Sequence, residues 1–175
     1  MLEVKEVSKK FGERTILNNV SMSFEDTGFY TIMGESGSGK TTLLNLIASL
    51  DKDFGGEIKY DGTSILERKN YLGVDIAYFY QDHLLINGLS VYHNLALFGT
   101  KEEDILAGLT LFHMEGLKSK KVKKLSQGEK KRVAFLRVLL HPAKVYLFDE
   151  PTVFLDEENK RIVLKALEVL SQKAL

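Results

Sequence analysis

The feature of this sequence that most restricts its fold is a glycine-rich stretch in its first quarter. An apolar run at residues 29–33 precedes the stretch and is predicted to be a β-strand; residues 41–50 follow it and are predicted to be a helix. Glycine allows the tight backbone path between two such elements, so the sequence predicts a strand–loop–helix unit. The stretch satisfies the pattern G-x-x-x-x-G-K-[ST] and reads Gly34, Glu35, Ser36, Gly37, Ser38, Gly39, Lys40, Thr41, Thr42.

A loop of this kind is suited to binding phosphate. Its backbone N–H groups converge on one point, and the helix that begins near Lys40 adds the partial positive charge of its N-terminus. Lys40 supplies a charge for the β- and γ-phosphates, and Thr41 supplies a hydroxyl ligand for Mg²⁺. The alternative is a flexible glycine turn, which the flanking strand and helix disfavour. We therefore expect residues 34–42 to bind a Mg²⁺–nucleoside triphosphate.

Two acidic residues, Asp149 and Glu150, follow a second apolar run at residues 145–148. Successive side chains of a strand point to opposite faces, so the two acids can take different roles. In a protein with a phosphate loop, an aspartate here is expected to hold Mg²⁺ or its waters. The glutamate is expected to orient and deprotonate an attacking water. Without the loop, this Asp-Glu-Pro sequence would be interpreted as a solvated turn.

The rest of the chain alternates between strand and helix patterns, which predicts an α/β fold with a parallel core. The segment 82–125 is interpreted as a short α-helical insert. Neither repeats nor a linker interrupt the chain, so we expect one domain over residues 1–175. Strands are predicted at residues 2–7, 20–24, 57–60, 74–80 and 145–148, and helices at 91–97 (with Ser90 as N-cap), 102–112, 128–140 and 156–170.

Composition excludes several classes of protein. Lys plus Arg and Asp plus Glu are both 24, so no net charge attracts the chain to nucleic acid or anionic lipid. The absence of cysteine excludes disulfides and thiolate chemistry. The charged N-terminal residues lack the apolar region of a secretory signal, so we expect no such signal. A helix that crosses a bilayer needs about 20 apolar residues, and no apolar run in this sequence approaches that length. We expect a cytoplasmic protein. A lysine-rich set is interpreted as a solvated face: Lys118, Lys120, Lys121, Lys123, Lys124, Lys130, Lys131 and Arg132.

A third motif, Leu125-Ser126-Gln127-Gly128-Glu129, lies between the phosphate loop and the acidic pair. Together the three motifs resemble the ATPase domain of ATP-binding cassette (ABC) proteins, whose signature normally reads Leu-Ser-Gly-Gly-Gln. The resemblance covers essentially the whole chain, in the family's order. It implies a P-loop NTPase core with an N-terminal antiparallel β subdomain and a short α-helical insert.

The resemblance also implies roles for further residues. Gln81 matches the Q-loop glutamine, which contacts Mg²⁺ or the water; the alternative is an exposed strand-end amide. Phe11 falls where an aromatic ring stacks on adenine; the alternative is an ordinary packed aromatic. Asp156 matches the D-loop aspartate, and Ser126 and the Gly128 backbone would bind the γ-phosphate of a second copy. The implied catalytic residues are Glu150, Gln81 and Lys40, and the implied Mg²⁺ ligands are Thr41, Gln81 and Asp149.

The implied activity is ATP hydrolysis that powers transport through a separate membrane permease. The expected partners are a second copy of the domain, packed head to tail, and that permease, at the inner face of the cell membrane. The segment from Gln81 to Asn94 looks most like ATPases of export or lipoprotein-release permeases. Two alternatives stay open: a nucleotide-binding module with little turnover, and a cassette ATPase that acts on nucleic acid. The second is disfavoured because the interval before the signature lacks heptads and cysteine, and no nucleic acid partner is expected.

The chain also departs from the family pattern. Gln127 and Glu129 replace the usual glycine and glutamine of the signature, and Val153-Phe154 replaces the small residues usual before the D-loop aspartate. The family places a histidine, the H-switch, after the catalytic glutamate, whereas the last histidine here is His141. We therefore expect a truncated or shortened chain without the C-terminal strand and the H-switch, and slow or absent hydrolysis.

Overall fold

The computed structural model describes residues 1–80, 84–153 and 155–172, and the chain divides into two compact units. The first unit contains Met1–Ile76, Ala143–Leu147 and the described residues from Ser171 onward. The second unit contains Ala77–Pro142 and Phe148–Leu170. The expected single domain over residues 1–175 stays a prediction.

The first unit is built on a four-stranded antiparallel sheet with the strand order β2-β1-β3-β4. Leu2 and Val4 of β1 are buried, because alternate side chains of a strand share one face. Val7 is buried as well, because the register of β1 against β2 shifts between Val4 and Val7. This sheet confirms the expected N-terminal antiparallel subdomain, with longer first strands than predicted. The strands are β1 (Leu2–Phe11), β2 (Arg14–Phe24), β3 (Gly55–Tyr60) and β4 (Thr63–Ser64).

The first unit also contains two helical segments, one between β2 and β3 and one after β4. Helix α1 (Lys40–Ile47) buries Leu43 and Leu46 and is shorter than the predicted helix at 41–50, because Ser49 takes a left-handed φ of 57°. Segment α2 (Tyr71–Val74) is a single turn interrupted by non-helical backbone at Leu72 and Gly73.

Residues 29–33 do not form the predicted strand. The structure assigns them neither strand nor helix, and Phe29, Tyr30 and Met33 are exposed. Apolar β-forming residues make a strand only when a neighbouring strand accepts and donates their backbone hydrogen bonds, and no described strand pairs with this segment. Tyr30 instead packs edge-on against Phe24, with ring centroids 5.1 Å apart. The prediction of a strand directly before the glycine-rich loop was therefore wrong.

A two-stranded sheet pairs β5 (Ile76–Phe79) with β6 (Val145–Phe148). All residues of β5 are buried. At the end of β6, the N–H of Asp149 donates to the carbonyl of Phe79 at 3.1 Å. The predicted strands at 74–80 and 145–148 are confirmed, and β6 delivers the acidic pair to the end of a sheet.

The second unit packs its helices around a cluster of aromatic rings. Phe135 on α5 lies 5.6 Å from Phe79, 5.8 Å from Phe112 and 5.2 Å from Phe148, measured between ring centroids. The predicted helices are confirmed, with Ser90 as the N-cap of α3. The helices are α3 (Val91–Leu95), α4 (Glu102–Leu111), α5 (Gln127–Leu140) and α6 (Glu157–Ser171), with 3₁₀ turns at Ala96–Phe98, Glu115–Leu117 and Val122–Lys124. Within the described parts of the chain, no helix combines the length and apolar character needed to span a membrane.

Candidate nucleotide-binding site

The glycine-rich loop of the first unit is closed by its own lysine. The ammonium of Lys40 donates to the carbonyl oxygens of Gly34 and Glu35, both at 2.8 Å. The N–H of Ser38 donates to the carbonyl of Glu35 at 3.2 Å, which tightens the same turn. The glycine-rich stretch therefore forms a compact loop, and the Lys40 ammonium is hydrogen-bonded to its backbone.

One glycine of the loop, Gly39, is required by sterics. Gly39 has a φ of 95°, and a Cβ there would lie 3.0 Å from both Ile16 Cγ2 and Leu17 Cδ2. A Cβ at Gly34 would lie 2.7 Å from Ser38 Oγ. A larger residue at Gly39 would therefore meet both a backbone and a packing penalty. The contact at Gly34 is with a side-chain hydroxyl that can rotate, so the steric requirement for glycine holds at Gly39.

The start of α1 is chemically suited to an anion. Its N-cap is Gly39, which makes no side-chain capping bond, and its described first turn contains no acidic residue. The first N–H groups of a helix need acceptors from outside the helix, and they carry partial positive charge. Together with the ammonium of Lys40 and the hydroxyl of Thr41, they form a donor set that fits a polyphosphate with a bound Mg²⁺.

The two acids of the second unit lie just after β6 and differ in exposure. Asp149 is buried and Glu150 is exposed, so the two carboxylates have different surroundings. The charge of Asp149 and, more strongly, burial raise the pKa of Tyr78. The hydroxyl of Tyr78 is buried and has no hydrogen-bond partner among the described residues. A buried phenol of this kind, influenced by a carboxylate, suits a site that is completed by a ligand or its waters.

Lys131 is a residue that sequence reasoning missed. It was interpreted as part of a solvated basic face, but it is only 3% exposed, and its ammonium donates to the carbonyls of Glu150 and Val153 at 2.7 Å each. The interpretation was wrong because Lys131 lies on the buried face of α5, in helical register with Ala134, Phe135 and Val138. That register was a signal available in the sequence.

The signature residues begin α5. Ser126 is the N-cap: its hydroxyl accepts from the N–H of Glu129 at 3.1 Å, and the Glu129 carboxylate accepts from the N–H of Ser126 at 2.6 Å. This is a capping box, in which Glu129 stands where the family pattern has glutamine. The pKa of the Glu129 carboxyl is lowered by the Ser126 backbone and also by Lys120, which lies 3.4 Å away. Gly128 lies in the first turn of the same helix.

Phe11 ends β1 and is 55% exposed, so the alternative of an ordinary packed aromatic is excluded. The ammonium of Lys9 lies 5.0 Å from the centroid of its ring, and Lys9 is fixed by Asp51 and Asp53. The chain therefore presents an open aromatic face beside a held positive charge. Such a face can stack on a nucleotide base.

Asp156 has a local structural role. Its carboxylate accepts from the N–H and the side-chain amide of Asn159, each at 2.8 Å, at the start of α6. The bond from the Asn159 backbone lowers the pKa of Asp156. Gln81 lies outside the described residues. Phe11 and residues 34–42 belong to the first unit. The second unit contains Ser126, Gly128, Asp149, Glu150 and Asp156. The functional roles of these residues stay predictions.

Comparisons with known proteins agree on one family. The ABC transporter family profile matches residues 17–153. The chain is 32% identical over 179 residues to an Fe(3+) ions import ATP-binding protein of Vibrio cholerae, covering 97% of this chain and 50% of that protein. It is 35% identical over 181 residues to a tungstate uptake system ATP-binding protein of Peptoclostridium acidaminophilum, covering 99% and 82% respectively. The chain spans about half the length of the Fe(3+) import relatives that it matches.

Solved structures show the same fold. A dimeric bacterial ABC transporter cassette aligns with a TM-score of 0.88 at 30% identity, covering 98% of this chain and 83% of that one. A dimeric cassette in a post-hydrolysis state, bound to ADP and Pi, aligns with a TM-score of 0.86 at 29% identity and the same coverage. The expected likeness to export-type ATPases stays a prediction, which these import and uptake relatives do not support. Sequence and architecture agree that the chain belongs to the ABC transporter family and has the fold of its ATP-binding cassette.

Proposed function

We propose that this chain binds Mg²⁺–ATP and hydrolyses it as the ATP-binding subunit of an ABC transporter. The observation that carries the proposal is the closed glycine-rich loop, with the Lys40 ammonium held 2.8 Å from two loop carbonyls and an uncapped helix start beside it. On binding, the phosphates take the place of these neutral carbonyls as acceptors for Lys40. A negatively charged phosphate oxygen attracts the ammonium more strongly than a neutral carbonyl does, which favours the exchange.

The proposed metal ligands come from both motifs. Thr41 supplies a hydroxyl, Asp149 supplies a carboxylate or holds metal-bound waters, and Gln81 contacts the ion or the water. When bound, Mg²⁺ neutralises charge that develops on the β- and γ-phosphates. The buried position of Asp149 supports this role, because a carboxylate shielded from water interacts more strongly with a cation.

Glu150 is the proposed base for hydrolysis. Its carboxylate orients the attacking water and takes a proton from it as the water attacks the γ-phosphate. The bond from the γ-phosphorus to the bridging oxygen then breaks, and ADP leaves with that oxygen. General-base assistance of this kind contributes about 10²–10⁴-fold in rate. The exposure of Glu150, in contrast to Asp149, supports a role toward solvent and substrate.

The active form is proposed to be a dimer of cassettes. Ser126 and the Gly128 backbone, at the start of α5, bind the γ-phosphate held by the second copy, and Asp156 contributes from the start of α6. Phe11 stacks on adenine. The dimeric relatives support this arrangement. The second partner is a membrane permease, which places the subunit at the cytoplasmic face of the membrane. The relatives differ in the substrate their names give, so we assign no cargo to this chain.

Binding and hydrolysis are tested separately on the purified chain. Calorimetry measures Mg²⁺–ATP affinity, and phosphate release measures turnover. Glu150→Gln is expected to keep the affinity and to lose turnover at least about 100-fold, which follows from the base contribution. Wild-type turnover by Glu150→Gln would refute the role of Glu150. Wild-type binding without any phosphate release would favour the alternative of a nucleotide-binding module.

A further inference from the structure

A buried lysine lies behind the acidic turn of the second unit. Lys131 is 3% exposed, so its ammonium must find its acceptors inside the protein. Its described acceptors are the backbone carbonyls of Glu150 and Val153, and the ammonium also lies 5.9 Å from the centroid of the Phe79 ring. Burial lowers the pKa of Lys131, while the charges of Glu150 and Asp149 oppose that change. A lysine in such a place implies a specific task, since an apolar residue would fill the space without losing hydration.

The two carbonyls belong to a turn with unusual backbone geometry. Glu150 has a φ of 50°, in the left-handed region that residues other than glycine seldom adopt. Within this turn, the N–H of Val153 donates to the Glu150 carbonyl at 3.3 Å. The same carbonyl is held more closely by Lys131, at 2.7 Å. The lysine therefore ties together the two ends of a turn whose first residue is in a disfavoured conformation.

The direction of the Glu150 carboxylate depends on this backbone. The side chain is exposed, so the position of its Cα and the direction of its Cα–Cβ bond set where the carboxylate can reach. If Glu150 relaxed to a right-handed φ, its side chain would leave the turn in a different direction. Misplacement of a reacting group by about 1 Å can cost about 10²-fold in rate.

We propose that Lys131 is a positioning residue for hydrolysis, which holds Glu150 in its left-handed conformation through hydrogen bonds to the carbonyls of Glu150 and Val153. The proposal rests on the proposed function of Glu150 as the base. Lys131 acts through backbone atoms, so it is expected to affect turnover and not nucleotide affinity. An ammonium suits this task because it offers three donors at the end of a long flexible stem.

Lys131→Met tests the proposal, because methionine keeps much of the stem and removes the donors. Lys130→Met is the matched control: it is the preceding residue of α5, less buried, and outside the proposed site. For Lys131→Met, kcat is expected to fall between about 10-fold and 100-fold, with KM and Mg²⁺–ATP affinity unchanged. Lys130→Met is expected to keep the wild-type kcat. A wild-type kcat in Lys131→Met, or an equal loss in both variants, would overturn the proposal.

A second measurement does not depend on hydrolysis. Amide hydrogen exchange of the nucleotide-free chain reports the turn directly, through the N–H of Val153. Exchange at Val153 is expected to be at least about 10-fold faster in Lys131→Met than in Lys130→Met, because the turn loses its tether. If the wild-type chain releases no phosphate, the proposed function fails, and the exchange result still decides whether Lys131 holds the turn. A loss of kcat with unchanged exchange would overturn the proposal, since the lysine would then act by another route.

Folding is not expected to obscure the result. Both apolar variants remove the desolvation cost of the buried ammonium, which offsets the loss of its two hydrogen bonds. Thermal melting is compared for both variants before the assays. Lys131→Leu serves as a second apolar variant, with the same expected kcat loss and the same expected rise in Val153 exchange. The proposal is overturned if the better-folded of the two apolar variants behaves as the wild type.

Discussion

The ammonium of Lys40 lies 2.8 Å from the carbonyl oxygen of Gly34, so the lysine of the loop is bonded to the loop's own first residue. A second bond of the same length reaches Glu35. Both acceptors are neutral carbonyls, which a charged phosphate oxygen can replace with a stronger bond. The loop is therefore folded around a positive charge that suits a triphosphate.

Lys40→Ala is expected to lower Mg²⁺–ATP affinity between about 10-fold and 100-fold, because hydrogen bonds to charged groups contribute about 1.5–3 kcal/mol. Isothermal titration calorimetry checks this. Lys52→Ala is the matched control, since Lys52 is an exposed lysine of the same unit. Unchanged affinity in Lys40→Ala would mean that the nucleotide binds elsewhere.

Gly39→Ala is expected to lower the free energy of unfolding by about 1–3 kcal/mol more than Gly62→Ala does. Both glycines have positive φ, 95° and 72°, but only a Cβ at Gly39 would press on Ile16 and Leu17. The difference between the two variants therefore cancels the backbone cost and reports the packing cost at Gly39. Urea denaturation of the two variants measures the difference, and equal destabilisation would contradict the packing argument.

Features that depend on local sterics and local hydrogen bonds could be predicted from the sequence. The loop glycines, the Ser90 cap and the strand that precedes Asp149 follow from neighbours along the chain. Residues 29–33 could not be placed correctly, because a strand needs a partner that local pattern does not reveal. Lys131 was missed for a different reason: its charge suggested exposure, while its acceptors, the carbonyls of Glu150 and Val153, lie far along the sequence.

Ser126 caps α5, and we propose that it also contacts the γ-phosphate held by a second copy. Ser126→Ala is expected to lower unfolding free energy by about 1 kcal/mol. Ser126→Asp is expected to keep the cap but to repel the phosphate. In a Glu150→Gln background, neither variant is expected to dimerise with ATP in size-exclusion chromatography. Ser90→Ala and Ser90→Asp, at the cap of α3, are the controls and are expected to leave dimerisation intact. Normal dimerisation of Ser126→Asp would exclude the phosphate contact.

Glu129 is expected to give the folded chain a pH-dependent contribution. Its pKa is lowered on folding from the ordinary value of 4.5, so its contribution is present above that value and is lost as pH falls through the lowered folded value. At pH 7, the free energy of unfolding of Glu129→Gln is expected to be about 0.3–1 kcal/mol lower than that of the wild type. This difference is expected to vanish on acidification and to be smaller in a Lys120→Met background. A difference that does not change between pH 7 and pH 3 would contradict the assignment.

Phe11→Ala is expected to weaken ATP binding about 10-fold, since stacking of a base on an aromatic ring contributes about 1–3 kcal/mol. Affinity for inorganic triphosphate is expected to be unchanged, because it has no base to stack. Phe29→Ala is the matched control, a comparably exposed phenylalanine of the same unit. Equal affinity of Phe11→Ala and wild type for ATP would show that adenine lies elsewhere.

Helix α5 runs without interruption from Gln127 to Leu140 and is capped by Ser126. Lys131 lies one and a half turns into this helix, about 7.5 Å along the axis from its cap. A short helix is stiff over such a distance, so a displacement of its first turn also displaces the backbone of Lys131, whose ammonium is bonded to the Glu150 carbonyl. In a dimer of the proposed kind, α5 would couple ATP bound by the neighbouring copy to the position of the Glu150 carboxylate in this chain.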